Sequence, residues 1–476
     1  MINYTASYTD QYQLTMAQVY FKRGRGGEAA VFDYFFRDLP FDGGYAIFAG
    51  LETLLNILTE LRFDREDIEF LHAEGLAPEF LEYLEDFSFT GNIYSTRAGD
   101  LIFPGRPVLQ VEAPLIEAQI IETVLLNVLN FQTLIATKAS RMRSVAGDRK
   151  LIDFGLRRAQ GPAAYPASRA AFIGGFDATS NVRAGRDFSI PVSGTMAHSF
   201  VQSYDHELTA FRDFAAERAA DCVLLVDTYD TLKSGLPNAI TVAEELRSRG
   251  EQLKGIRLDS GDLAYLARAS RQMLDAAGFP DVKIAVSNQL DEFVIRSLNH
   301  QQAPIDVFGV GTKLLTGNPD AALDGVYKLS YASGRPRIKL SESLEKLTLP
   351  HRKQVFRVLD KAGNFAGADA VTLREEQEVE KIYHPFDPTR ELALGECQTE
   401  KLLQPVMEAG RRTGEPRSVS SIRDYSRSRL DKLPAEYKRF DNPHLYKVGL
   451  SKRLKTERDR LIAKYKEAKD ASIVDH

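Results

Sequence analysis

The sequence predicts an α/β protein whose central part forms an irregular α/β barrel, with an N-terminal α+β domain and a C-terminal extension. Short apolar runs alternate with helical sequence through the middle of the chain, at a spacing of roughly 25–40 residues that is typical of a parallel sheet covered by helices. Seven such runs suit a closed or nearly closed barrel better than an open sheet. Most runs end in polar or glycine residues, where barrel enzymes carry their functional groups.

Residues 1–115 are predicted to form the α+β domain. "EAAVFDYFFRDLP" alternates apolar and aromatic residues like a strand, and "YAIFAGLETLLNILTEL" reads as a helix. "GNIYSTRAGDLIFPGRPVLQVEAP" places turn residues between short alternating segments. This last stretch indicates a small antiparallel unit.

Residues 116–320 are predicted to form the barrel. They begin with a long helix, "EAQIIETVLLNVLNFQTLIATKASRMRSVAG". The predicted strands follow at 150–158, 179–185 (the weakest), 192–199, 221–231, 255–262, 281–289 and 305–313. Because parallel strands present their carboxyl ends at one edge, residues after these runs are expected to converge.

Two further segments complete the chain. Residues 321–400 contain strand–turn–strand patterns such as "KQVFRVLDKAGNFAGADAVTL", which we expect to pack against the N-terminal domain. Residues 401–476 are predicted to form a charged, largely helical extension that ends in a surface helix, "SKRLKTERDRLIAKYKEAKD". We assign no chemistry to that helix.

Composition limits the class of protein. A net charge of −5 over 476 residues argues against nucleic-acid binding, although it leaves room for a local basic pocket. Two distant cysteines, Cys222 and Cys397, form no disulfide framework and favour a reducing compartment. The start of the chain lacks a secretory pattern, and no apolar run is long enough to cross a membrane. We therefore expect a cytoplasmic protein.

The ends of the predicted strands carry an unusual set of side chains. Serine, threonine and aspartate at such positions are commonly helix caps, but arginine caps no helix start. The set therefore predicts an active site. It comprises Arg157, Arg158, Thr195, His198, Asp227, Asp230, Arg257, Asp259, Asp262, Ser287, Asn288, Gly309, Gly311, Thr312 and Lys313.

Two motifs indicate the kind of ligand. "FGVGTK" offers glycines and backbone N–H groups ahead of a helix, which suits a phosphate, although glycine turns are also common packing features. In "RLDSGDL", Arg257 suits an anion, while its carboxylates suit sugar hydroxyls or Mg²⁺, with an internal ion pair plus helix cap as the alternative. The set fits a phosphorylated sugar with a divalent ion, with magnesium contacts possible near Asp227 and Asp259. No clustered ligands suggest zinc, and no G-x-S-x-G elbow suggests a serine hydrolase.

Taken together, several motifs resemble the nicotinate phosphoribosyltransferases, which are type II phosphoribosyltransferases. The similarity runs in order from residue 8 to about 315. It rests on "YTDQYQLTMAQVYF", "FGLRRAQGP", "SGTMAHSFVQSY", "LLVDTYDT", "IRLDSGDL", "VSNQLDE" and "FGVGTKL".

The resemblance implies an activity. Such enzymes join nicotinate to 5-phosphoribosyl 1-pyrophosphate, giving nicotinate mononucleotide and pyrophosphate in NAD salvage. ATP is a co-substrate whose hydrolysis is coupled to the reaction, and Mg²⁺ is expected with it. The resemblance also implies a homodimer in which one subunit's N-terminal domain completes the other's barrel site.

The resemblance assigns roles to individual residues. His198 matches the histidine that ATP transiently phosphorylates. Tyr12 is expected to stack on the pyridine ring. Contacts to nicotinate are implied for Thr195, Arg257 and Arg157, with Arg157 and Arg158 together supplying positive potential for nicotinate or pyrophosphate. Contacts to the phosphoribosyl group are implied for Asp259, Ser287, Asn288, Gly309, Gly311 and Thr312.

Three alternatives are weighed against this assignment. A nicotinamide phosphoribosyltransferase would favour a carboxylate acceptor in place of Tyr12. A quinolinate phosphoribosyltransferase is shorter and needs more cationic residues. A non-catalytic regulatory protein on the same fold would show eroded strand ends, and here none is eroded.

Overall fold

The computed structural model describes residues 4–340 and 347–474. The chain divides into two compact units, with boundaries at Thr137/Lys138 and Ala321/Ala322, so that the first unit contains both ends of the chain. The predicted segments change at 115/116 and 320/321 instead. The parts of the predictions that fall on residues 1–3, 341–346 and 475–476 lie outside the described residues.

The helices alternate with strands most regularly in the second unit. The α-helices are α1 (Gln11–Lys22), α2 (Leu51–Glu60), α3 (Arg65–Ala73), α4 (Pro78–Glu85), α5 (Leu115–Ile120), α6 (Glu122–Ala146), α7 (Ala164–Ile173), α8 (Val182–Phe188), α9 (His198–Gln202), α10 (Glu207–Glu217), α11 (Leu236–Ser248), α12 (Leu263–Ala276), α13 (Glu292–His300), α14 (Thr312–Leu315), α15 (Val419–Lys432) and α16 (Lys452–Val474). Among the described residues, no helix is long and apolar enough to span a membrane.

The strands belong to four sheets. They are β1 (Ala29–Phe36), β2 (Ala46–Ile47), β3 (Asn92–Ser95), β4 (Leu101–Ile102), β5 (Leu109–Pro114), β6 (Lys150–Asp153), β7 (Ala178–Thr179), β8 (Val223–Leu225), β9 (Gly255–Leu258), β10 (Lys283–Val286), β11 (Val307–Val310), β12 (Gly325–Ala332), β13 (Arg335–Pro336), β14 (Lys353–Leu359), β15 (Phe365–Leu373), β16 (Lys381–Tyr383), β17 (Glu391–Ala393), β18 (Gln398–Lys401), β19 (Gln404–Glu408), β20 (Arg411–Arg412) and β21 (Lys447–Leu450).

The first unit is built on two large sheets. One has the order β13-β12-β1-β5-β3-β19-β20, and its central strand β1 is buried along most of its length and pairs antiparallel with β5 and β12. The other has the order β17-β16-β21-β15-β14-β18, in which only β15 and β21 pair in parallel. In the first of these two sheets, β1, β3 and β5 precede the second unit in sequence, whereas β12 and β13 follow it. Strands from both ends of the chain therefore share that sheet.

Buried charges connect segments of the first unit that are distant in sequence. Arg357 on β14 donates to Asp100 (2.7 Å) and to both carboxylate oxygens of Asp369 (3.1 Å each), and none of these side chains is exposed by more than 1%. Arg106 pairs with Asp369 at 2.7 Å, and Arg429 on α15 pairs with Asp100 at 2.9 Å. Removing one member would leave an uncompensated buried charge, so the network fixes how these segments meet.

The second unit contains the predicted parallel sheet. Its strand order is β7-β6-β11-β10-β9-β8, every pair is parallel, and a single parallel bridge joins Thr179 to Val192. The chain beyond that bridge returns to β9, where Arg257 donates to the hydroxyl of Thr195. The sheet therefore curls into an irregular barrel, which confirms the predicted fold class.

Two strand predictions within the barrel need correction. The run 192–199 is not a strand, because only Val192 forms a bridge and helix α9 already begins at His198. The run 179–185 is a strand only at its first residue, since α8 starts at Val182. Much of the run 192–199 is exposed, so it lacks the burial that favours a regular inner strand.

Candidate active site

Arg257 lies at the centre of a cluster at the carboxyl edge of the barrel sheet. It belongs to β9, and its guanidinium donates to Thr195 Oγ1 (3.1 Å), Ser287 Oγ (2.8 Å), Asp259 Oδ1 (3.1 Å) and the carbonyl of Met196 (3.3 Å). These partners come from three separate segments of the chain. The structure thus brings Thr195, Arg257, Asp259 and Ser287 together, as the strand-end argument predicts.

Ser287 and Asp227 hold this cluster in place through hydrogen bonds. The hydroxyl of buried Ser287 accepts from Arg257 and donates to Asp259 Oδ1, so it is directed inward. Asp227 follows β8, and its Oδ2 accepts from the backbone N–H of Asp259 (2.7 Å) and from the hydroxyl of Ser260 (2.6 Å). Asp227 is 1% exposed and Asp259 is 28% exposed, so only Asp259 presents its carboxylate to a ligand.

His198 is the first residue of α9 and faces both carboxylates. Its Nε2 lies 3.9 Å from Asp227 Oδ1 and 3.8 Å from Asp259 Oδ2. Its Nδ1 lies 3.1 Å from the hydroxyl oxygen of Thr228. Carboxylates only accept hydrogen bonds, so this arrangement favours a proton on Nε2 and leaves the lone pair of Nδ1 toward Thr228.

Phe154 joins the cluster although the sequence analysis does not single it out. It follows β6, and the Arg257 guanidinium carbon lies 5.3 Å from its ring centroid. The ring also covers Gly309 on the neighbouring strand β11, where a Cβ atom would lie 2.4 Å from the ring. An aromatic residue after an apolar strand resembles ordinary core. The sequence carries no local signal for its role, because its packing on Gly309 joins residues that are far apart in the chain.

The remaining residues implied for the phosphoribosyl group lie on two adjacent strand ends. Asn288 follows β10, is exposed, and has a φ of 88°, a left-handed conformation that asparagine tolerates better than most residues. Gly311 precedes α14, whose first residue is Thr312. Within the described residues, no hydrogen bond joins Asn288, Gly311 or Thr312 to the Arg257 cluster.

The two adjacent arginines 157 and 158 follow β6 and are exposed. They lie on the same loop as Phe154. In the part of the chain that the structure describes, neither side chain has a recorded ion pair or hydrogen bond. Both guanidinium groups therefore remain available to an anion.

Two acids of the strand-end set act as caps. Asp262 accepts from the backbone N–H of Tyr265 at the start of α12, at 3.0 Å. Asp230 accepts from the N–H groups of Leu232 (3.2 Å) and Lys233 (2.9 Å). For these two positions, the capping interpretation accounts for the structure.

Tyr12 belongs to the first unit, on α1, and its side chain is 52% exposed. Burial, followed by the negative charge of Glu122, raises its pKa, so the phenol stays protonated at neutral pH. Neighbouring Gln13 is buried and donates to Glu122 at 2.9 Å. Tyr12 is therefore a neutral aromatic surface on a helix that is anchored by a buried polar contact.

The cluster is suited to binding an anion and a hydroxylated ligand. The guanidinium provides positive charge, the ring of Phe154 an apolar wall, and Asp259 Oδ2 an acceptor. Within the described ranges, no group of three or more histidine, cysteine or acidic side chains is arranged to hold a metal ion. Mg²⁺ commonly needs only one or two carboxylates plus ligand phosphates, so Asp259 fits an ion that arrives with its ligand, whereas Asp227 is too buried to contact that ion directly.

Three family models match this chain. The N-terminal domain model of the nicotinate phosphoribosyltransferases matches residues 8–130. The family model matches residues 149–384, and the C-terminal domain model matches residues 352–458. Together these matches extend over most of the chain.

Individual proteins are similar over nearly their whole length. A Bacillus subtilis protein named nicotinate phosphoribosyltransferase is 46% identical, covering 93% of this chain and 92% of its own. One from Dictyostelium discoideum is 37% identical, covering 94% and 86%. The crystal structure of human nicotinic acid phosphoribosyltransferase superposes with a TM-score of 0.85 at 32% identity, covering 95% of this chain and 99% of that one.

Proposed function

The chain belongs to the nicotinate phosphoribosyltransferase family, and from that premise we propose that it joins nicotinate to 5-phosphoribosyl 1-pyrophosphate. The products are nicotinate mononucleotide and pyrophosphate, within NAD salvage. The observation that carries the proposal is the Arg257 cluster, which offers a guanidinium, a hydroxyl and an aromatic wall to a flat carboxylate-bearing ring. An amide substrate would gain less from a guanidinium, which disfavours nicotinamide as the main substrate.

The reaction makes modest demands on acid–base chemistry. The bond from the sugar carbon to pyrophosphate breaks as the pyridine nitrogen bonds to that carbon, and this nitrogen carries no proton to remove. Catalysis therefore depends on positioning and on stabilising the charge of the leaving group. We assign nicotinate to Thr195 and Arg257, with Tyr12 stacking on the ring, and the ribose hydroxyls to Asp259.

The phosphates are assigned to the loops around this cluster. Arg157 provides an exposed cation on the loop after β6. Asn288, Gly309, Gly311 and Thr312 lie at the ends of β10 and β11, where backbone N–H groups are expected to hold the 5′-phosphate. Ser287 is already bonded to Arg257 and Asp259, so we give it a positioning role. Mg²⁺ would be held by Asp259 with the pyrophosphate, and it would neutralise charge on the leaving group.

ATP coupling is proposed to operate through His198. The γ-phosphoryl group of ATP is transferred to a ring nitrogen of His198, and ADP leaves. The geometry favours Nδ1 as the attacking atom, because Nε2 faces the two carboxylates and retains its proton. A phosphohistidine beside Asp259 would add negative charge to the site, and its later hydrolysis would release that interaction.

We further propose that the enzyme is a cytoplasmic homodimer with shared active sites. The family resemblance supports the dimer, and the exposed ring of Tyr12 is available to a partner subunit. Two free cysteines support a reducing compartment. Mixing inactive Tyr12→Ala and Arg257→Ala chains tests the shared site, because mixed dimers should regain part of the activity. Equally inactive mixtures would refute it.

Product formation tests the main proposal. Labelled nicotinate and 5-phosphoribosyl 1-pyrophosphate should give labelled mononucleotide, faster with ATP than without it, and nicotinamide should be a poor substitute. No product under either condition would reject the proposed activity and favour a regulatory protein. His198→Ala should keep the rate measured without ATP but lose its stimulation by ATP. The variant protein should also no longer take up an acid-labile label from ATP that is labelled in its γ-phosphoryl group. Unchanged stimulation in that variant would reject the phosphohistidine alone.

A further inference from the structure

A buried carboxylate lies at the carboxyl end of β6 and is absent from the site described so far. Asp153 is 1% exposed, and its two oxygens accept three hydrogen bonds. Oδ1 accepts from the backbone N–H of Gly155 at 2.8 Å. Oδ2 accepts from the hydroxyls of Ser168 (2.7 Å) and Thr179 (2.8 Å).

These three partners come from different elements of the barrel. Ser168 belongs to α7, Thr179 ends the neighbouring strand β7, and Gly155 begins the loop after β6. Asn181 extends the network, because its backbone N–H donates to the Thr179 hydroxyl at 3.0 Å. Asp153 thus connects the start of one loop to two fixed parts of the unit.

The loop that Asp153 holds carries residues of the proposed site. Phe154 beside Arg257 lies between Asp153 and Gly155, and Arg157 follows two residues later. The loop also packs tightly against the β11 loop: a Cβ atom on Gly155 would lie 2.4 Å from Leu315 and 3.0 Å from the carbonyl oxygen of Gly311. A shift of Gly155 would therefore displace residues of both loops.

We propose that Asp153 is a positioning residue for the reaction, acting through Gly155 to fix the Phe154–Arg157 loop and the adjoining β11 loop. The inference rests on the proposed function. Asp153 is too buried to contact a substrate, and it is not a helix cap, since the next α-helix begins at Ala164. Its effect must pass through the loops that it orders.

Asp177 provides a matched control near the amino end of β6, whereas Asp153 lies at its carboxyl end. Its carboxylate also accepts a backbone N–H from β6, that of Leu151 at 2.9 Å, and it pairs with Arg143. Asp177→Ala therefore removes a comparable contact from the same strand. It does so at the amino end, away from the loops that carry the site.

The experiment compares Asp153→Ala, Asp153→Asn and Asp177→Ala in the full-length protein, by steady-state kinetics and thermal unfolding. Misplacement of catalytic loops by about 1 Å can cost roughly a hundredfold, so we expect Asp153→Ala to lower kcat/KM about a hundredfold, with a raised KM for 5-phosphoribosyl 1-pyrophosphate. Asp153→Asn should restore most of that loss, because its amide oxygen still accepts from Gly155. Asp177→Ala should lower Tm and leave KM unchanged.

Each outcome decides the inference. A folded Asp153→Ala enzyme with wild-type KM and kcat overturns it, as does a loss in Asp177→Ala equal to that in Asp153→Ala. If Asp153→Ala does not fold, Thr179→Val replaces it, and a KM that stays at the wild-type value overturns the inference. An inactive wild-type protein would instead refute the proposed function, so the two failures are distinguishable.

Discussion

Gly309 makes a steric prediction that can be worked through from the structure. It is the third of the four residues of β11, pairs with Ile152 on β6, and is buried. A Cβ atom built on it would lie 2.4 Å and 2.5 Å from two carbons of the Phe154 ring. Its φ is not in the left-handed region, so the backbone itself would accept alanine. Gly309→Ala therefore tests packing against Phe154 alone.

The expected cost follows from that distance. Carbon atoms in contact are separated by about 3.5 Å or more, so the ring of Phe154 must recede by about 1 Å. The pairing of β11 with β6 prevents the strand from moving away instead. Overpacking of this kind costs roughly 1–3 kcal/mol, and the displaced ring would move relative to Arg257.

The assay is a double-mutant cycle on the stability of the protein. Urea unfolding is measured for wild type, Gly309→Ala, Phe154→Leu and the double variant. Phe154→Leu removes the ring carbons that the new Cβ would meet, so the double variant should be more stable than the sum of the single losses implies. Residues in direct contact show couplings of about 0.5–3 kcal/mol, and we expect about 1 kcal/mol or more here.

Additive effects would refute the reasoning, because they would mean that alanine at 309 does not press on Phe154. Activity provides a second, separate reading. If the double variant regains stability but not turnover, then Gly309 also serves the phosphate contact that the family resemblance assigns to it. If it regains both, packing against Phe154 is the main reason for glycine.

Three further outcomes are expected. Iodoacetamide should alkylate the exposed Cys397 in the native protein and not Cys222, because burial raises the pKa of the Cys222 thiol to about 12; mass spectrometry that finds Cys222 equally modified would contradict this. Burial opposes ionisation of Asp100, yet Arg357, Arg429 and Arg106 together outweigh it and lower its pKa, so the stability that the ionised carboxylate contributes is present above the ordinary aspartate pKa and is lost as the pH falls through the lowered value; unfolding midpoints of Asp100→Asn should depend less on pH below about 4 than those of wild type. Asp262→Ala should lose about 1 kcal/mol of unfolding free energy and keep wild-type KM values, since Asp262 caps α12, and a raised KM would show that it also contacts substrate.

The sequence predicted the sheet well because the physics of its strands is local. Runs such as that of β9 are apolar, short and followed by helices, and burial on both faces of a parallel sheet favours that composition. The run at 192–199 failed for the opposite reason: much of it is exposed, and its position is set by hydrogen bonds from Arg257 to Thr195 and Met196. Those contacts join residues about sixty positions apart and leave no trace in a local pattern.

The acids at the strand ends show most clearly where sequence reasoning stops. Asp153, Asp227, Asp259 and Asp262 all follow or end apolar runs, so their spacing alone does not separate them. The structure divides them by burial and by partner. Asp153 and Asp227 are each 1% exposed and accept hydrogen bonds from backbone N–H groups of site loops, whereas Asp259 is 28% exposed and Asp262 caps a helix.

This division has a physical reason that applies beyond one residue. A buried carboxylate is costly unless several donors surround it, so a site that needs fixed loops can obtain them by directing main-chain N–H groups at such an acid. Asp227 does this for the loop that carries Asp259, and Asp153 does it for the loop that carries Phe154. Both acids would lose their function if they turned outward to a ligand. The acids best able to order this site are therefore the ones least able to touch its substrates.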